Sequence, residues 1–150
     1  MKGCSKKMRN VSLIFLAMIL PILFVNVGHA DKDQKQPDGQ TKGVKDIGVE
    51  EANQMIRNGQ NQGNLVIIDV RTPEEFNQEH IENASNIDFY SDNFKAELNK
   101  LDKNKTYVIH CQSGGRSSRA LEIMRELGFR EAYNMGGIIE WKENGFPTTR

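Results

Sequence analysis

Cysteine is scarce in this chain, net charge is absent, and the first thirty positions contain no acidic residue. The 150 residues hold two cysteines, Cys4 and Cys111, and twenty basic against twenty acidic side chains. A zero balance supplies none of the basic excess that attracts a phosphate backbone, so nucleic acid is not an expected partner. Internal repeats and low-complexity blocks are also missing. The length points to one domain.

The long apolar run is Val11–Val27. Lys2, Lys6, Lys7 and Arg9 precede it, and the small residues Gly28 and Ala30 flank His29 after it. This is the pattern of a secretory signal peptide over 1–30, cleaved after Ala30. An uncleaved anchor is the alternative, since seventeen largely apolar residues sit at the lower edge of a membrane span. Cys4 precedes the run instead of ending it, which does not fit a lipid-modified cysteine. The remainder is therefore expected to be exported, to a periplasm first and otherwise secreted or membrane-anchored, with membrane contact only through the signal. Those compartments are oxidising. Without the signal the mature part is mildly acidic, and Cys111 is its one cysteine. No intramolecular disulfide is then available. A leftover thiol is a buried hydrophobe, half of an intermolecular bridge, or a reactive group.

Residues 31–45 are polar, with Pro37, Gly39 and Gly43, and read as a flexible linker. The folded domain is placed at 46–150. Val49, Ala52, Met55 and Ile56 recur at helical spacing before Gly59, which is expected just past the helix end. "LVIIDV", Leu65 to Val70, and "TYVIHC", Thr106 to Cys111, read as strands buried on both faces. Between them, Thr72, Pro73 and Glu75 form an N-cap, a first helical position and a capping box. "ASNIDF" reads as a short strand, and Phe94, Leu98 and Leu101 as a brief helix. Ala120, Leu121, Ile123, Met124 and Leu127 line the inner face of a further helix stopped by Gly128. "EAYNM" is a last strand, and "GGIIEWKENGFP" a closing helix anchored in the core by Trp141. Strands alternating with helices predict an α/β layered fold with a central, mainly parallel sheet. Asp69 and Cys111 fall at the carboxyl ends of two strands, where such sheets bind ligands.

Cys111, Gln112, Ser113, Gly114, Gly115, Arg116 and Ser117 run from a strand into a helix. Their N–H groups can converge near the sulfur, and the paired glycines permit the φ values of such a cradle. The helix start and Arg116 favour an anion there, either the thiolate or an oxyanionic or sulfur-bearing substrate. Such a thiolate can attack phosphorus or sulfur. Cysteine-dependent phosphatases of this type place five residues between cysteine and arginine; here four intervene, and Arg119 lies too far along the helix for that role. Asp69 and Arg71 read first as a structural pair supporting the turn. His110 neighbours Cys111 on an extended strand and so points to the other face; it and His80 are read as structural.

The sequence resembles the single-domain rhodanese (thiosulfate sulfurtransferase-like) family. "IIDVRTPEEFNQEHIENA", "HCQSGGRS" and "NMGGIIEWKENGFP" match three of its motifs in order. Glu79 and Asn83 stand where the family usually has glycine, and Gln112 where some relatives have arginine. The resemblance implies a three-layer fold, ping-pong sulfur transfer through a persulfide on Cys111, and no metal or organic cofactor. It implies a small sulfur-containing anion as donor and cyanide or a thiol as acceptor, with a protein thiol as a possible partner. Loop amides from Gln112 to Arg116 would stabilise the persulfide, and Arg116 the departing sulfite. The other readings are a sulfur- or redox-sensing module using Cys111 without turnover, and a small phosphatase or arsenate reductase.

Overall fold

The two apolar runs read as buried strands lie side by side within a five-stranded sheet, and helices cover both of its faces. The computed structural model describes residues 43–59 and 63–150; the expected signal peptide, Cys4 and the expected linker up to residue 42 lie outside them. In chain order the elements are β1 (Gly43–Asp46), α1 (Val49–Gly59), β2 (Leu65–Asp69), α2 (Pro73–Gln78), β3 (Ala84–Asn86), α3 (Phe94–Asn99), β4 (Thr106–Cys111), α4 (Gly115–Glu126), β5 (Glu131–Gly137) and α5 (Ile138–Glu143). The strand order is β1-β5-β4-β2-β3, and every pairing in the sheet is parallel. The α/β expectation holds. The one antiparallel bridge among the described residues, His80 with Thr149, lies outside the sheet.

Side-chain parity divides the core. Ile68 and Val70 after β2 join Tyr107, Ile109 and Cys111 of β4 on one face, under Phe94, Leu98, Ala120, Leu121 and Met124 of α3 and α4. Ile67 and Val108 join Val49, Ala52, Ile56, Ile138 and Trp141 on the other, beneath α1 and α5. Trp141 is a core residue as expected, its Nε1 donating to Pro147 O at 3.0 Å. The capping box at α2 is complete: Thr72 Oγ1 accepts from Glu75 N, and Glu75 Oε2 accepts from Thr72 N.

Two local expectations change. Residues 43–45, read as the end of the linker, belong to β1, because Val44 is buried in the core and the strand pairs with β5. Gly59 lies inside α1 instead of just past it. A Cβ there would come within 2.8 Å of Leu65, so the glycine serves close packing. Asn83 takes the left-handed conformation a family glycine would have had, at φ 66°, which asparagine tolerates. Glu79, at φ −169°, is ordinary extended backbone and needs no glycine.

Candidate active site

Asp69, the last residue of β2, pairs in register with His110, one residue before the end of β4. The two residues share parity, so both project beneath α1 and α5. Cys111, one position further on, projects to the other face. That single step separates a buried polar cluster from an open cavity.

In the cluster, Arg71 grips Asp69 through Nε at 3.0 and 2.9 Å and Nη2 at 2.7 Å, with both side chains buried. Asp69 Oδ1 also accepts from the Arg71 N–H at 2.9 Å. Its Nη2 also donates to Glu79 O at 2.5 Å, and its Nη1 donates to Gln112 Oε1 at 3.2 Å. The pair thereby ties the turn after α2 to the first loop residue after Cys111. His110 is fully buried, and its Nε2, 3.7 Å from Asp69 Oδ2, has no hydrogen-bond partner. Burial lowers its pKa and keeps the ring neutral, despite the opposing charge of Asp69. His80 stacks on Phe76 at 4.0 Å and places Nδ1 3.0 Å from Phe76 O. Neither histidine lines the cavity at Cys111.

On the other side Cys111, itself buried, lines a cavity of about 550 Å³. Gly114 N–H donates to Sγ at 3.1 Å. Gly114 adopts φ 101°, the conformation that turns this amide inward. Gly115 has no such φ and open space around its α-carbon, so one of the paired glycines carries the turn. Ser117 is buried with Oγ 3.5 Å from Sγ, 3.0 Å from Gly114 O and 3.1 Å from Gly136 O. Burial opposes the thiolate. The Ser117 hydroxyl and the N–H groups of Ser117, Ser113 and Gly114 outweigh it, and the thiol is held below its ordinary pKa.

Arg116 is less free than its position suggests. Its Nη1 and Nη2 meet Glu75 Oε2 and Oε1 at 2.6 and 2.8 Å, a bidentate pair. The Tyr90 ring lies 5.6 Å from the guanidinium carbon. The guanidinium pulls the Glu75 carboxyl down to about 2, and Glu75 in turn raises the pKa of Arg116.

Four features of the site were not reached from the sequence. Glu75 was read as a local capping residue, although it also crosses to Arg116. Gly137 packs against the loop so closely that a Cβ would stand 2.4 Å from Gln112 O. Asn134 donates through Nδ2 to Asp46 Oδ1 and Ser118 Oγ and accepts through Oδ1 from Gly136 N, which anchors this glycine pair. Tyr90 and Arg119 both line the cavity; the available signal for Arg119 was its place three residues after Arg116, on the same helix face.

Comparison with known proteins agrees with this architecture. The family model for the rhodanese-like domain matches residues 49–144. The chain is 38% identical over 71 residues to the thiosulfate sulfurtransferase PspE of Escherichia coli, covering 47% of this chain and 68% of that protein. It is 31% identical over 84 residues to a sulfurtransferase of Allochromatium vinosum, covering 55% of this chain and 77% of the relative. The crystal structure of a rhodanese-related protein from Thermoplasma volcanium superposes with a TM-score of 0.60 at 28% identity, covering 70% of this chain and 97% of that one.

Proposed function

The chain belongs to the rhodanese family of sulfurtransferases, and on that premise we propose that it is an exported enzyme carrying sulfane sulfur on Cys111. The domain follows a cleaved signal peptide over 1–30 and a short linker. The donor is a small anion such as thiosulfate. The acceptor is cyanide or a thiol, including a protein thiol.

In the first half-reaction the Cys111 thiolate attacks the outer sulfur of thiosulfate. A sulfur–sulfur bond forms to Cys111, the donor's own sulfur–sulfur bond breaks, and sulfite leaves with the electron pair as a dianion. The enzyme retains a persulfide anion. In the second half-reaction cyanide attacks the terminal persulfide sulfur, thiocyanate departs, and the thiolate returns. Charge is conserved in both steps, and no proton or external oxidant is consumed. Loop N–H donors facing the sulfur suit both the thiolate and the persulfide anion, since each keeps its negative charge on sulfur.

The observation that carries this reading is Cys111 lining the cavity, its sulfur held by Gly114 N–H at 3.1 Å and its pKa lowered. Initial rates with thiosulfate and cyanide both varied should give parallel double-reciprocal lines, as a covalent carrier requires. Intersecting lines would mean that both substrates must be bound together, against the carrier mechanism.

A further inference from the structure

The cations around the cavity differ in whether their charge is already matched. Arg116 is locked to Glu75 by two short contacts, with its side chain only 16% exposed. Glu75, held down to about 2, is ionised throughout the working range. Neighbouring Arg71 is paired with Asp69 at 2.7 Å and Lys142 with Glu79 at 2.6 Å. Arg119 lines the same cavity as Cys111, is exposed, and makes no hydrogen bond or ion pair among the described residues.

Among the charged side chains that line the cavity Arg116 and Glu75 cancel, and Arg119 is the one cation left to offset the Cys111 thiolate. That charge matters because a thiolate and a dianionic donor repel each other. A donor that places its outer sulfur at Sγ directs its oxyanion end away from Cys111, toward the mouth.

Resting on the sulfur-transfer reading above, we propose that Arg119, and not Arg116, is the residue that selects donors by the charge of their oxyanion end. Arg116 instead holds α2 against the loop through Glu75. The donor class is a thiosulfate-type dianion, whose sulfonate group meets Arg119 while its outer sulfur meets Cys111. The leaving sulfite dianion is attracted by the same guanidinium.

Donor charge provides the test. Thiosulfate carries two negative charges and methanethiosulfonate one, and both deliver a terminal sulfur to the same thiolate, releasing sulfite or methanesulfinate. Coulomb attraction scales with ligand charge, so Arg119→Gln should lower kcat/KM about tenfold for thiosulfate and about threefold for methanethiosulfonate. Arg119→Lys should restore most of the loss. Equal losses for the two donors, or an unchanged thiosulfate value, would overturn the assignment, because a merely structural arginine cannot distinguish their charges. If the wild-type chain transferred sulfur from neither donor, the sulfurtransferase reading itself would fail, and this inference with it.

Discussion

The two sides of the sheet at the ends of β2 and β4 are built from adjacent residues yet use polarity in opposite ways. Beneath α1 and α5, Asp69, Arg71 and His110 are buried, and Asp69 and Arg71 satisfy one another at 2.7–3.0 Å. Beneath α3 and α4, Cys111 is itself buried but is held by the N–H groups of one loop and lines a cavity. The buried side spends its hydrogen bonds on geometry: the pair reaches Glu79 O and Gln112 Oε1 and so sets where the loop begins. The open side keeps its donors for a charge on sulfur. Strand alternation separates the two tasks by a single residue.

The comparison can be broken first at the sulfur. Cys111→Ser should abolish transfer while leaving the unfolding midpoint close to wild type, because serine has nearly the same shape and its hydroxyl oxygen can accept from the same loop N–H groups. Measured turnover together with denaturant unfolding checks both halves of that statement. Retained turnover would remove Cys111 from the chemistry.

The opposite pattern is expected on the buried side. Arg71→Met strips the partner from a fully buried carboxylate and should cost about 3–5 kcal/mol of stability, read by urea unfolding. Transfer should fall with it, because Gln112 loses its tether. A stability change under ~1 kcal/mol would show that the pair is not what holds the strand ends.

Ser117→Ala sharpens the contrast with a smaller effect. The Ser117 hydroxyl is the strongest of the contacts that lower the Cys111 pKa, so its loss should raise the thiol toward the ordinary value of about 8.5. Because the thiolate is the reactive form, its population rises with pH. A raised pKa therefore moves the whole limb of the alkylation profile to higher pH, and transfer at pH 7 drops several-fold, in the order of the lost thiolate fraction. Iodoacetamide alkylation against pH gives the midpoint directly. An unmoved midpoint would assign the lowered pKa to the backbone alone.

Most of this arrangement was legible in the sequence where the signal was local. The apolar runs at Leu65–Asp69 and Thr106–Cys111 declared buried strands, and Thr72, Pro73 and Glu75 declared the start of α2. Strand alternation alone put His110 on the face away from Cys111. What the sequence did not disclose depends on contacts between segments far apart in the chain. Glu75 and Arg116 are 41 residues apart, and no local pattern says that the carboxylate of a capping box will also neutralise the loop arginine. Gly137 looked like the start of a closing helix, and its need for a missing side chain appears only once Gln112 packs on it. β1 escaped notice because its four residues, Gly43–Asp46, are polar except for Val44 and acquire order from pairing with β5.

The most direct test of the central claim is the intact mass of the protein from Asp31 onward, taken before thiosulfate, after it, and again after cyanide. The account predicts a gain of about 32 Da, one sulfur atom, that maps to Cys111 and is lost on adding cyanide. A thiol that remains free and alkylatable, with no added mass at any step, would contradict it.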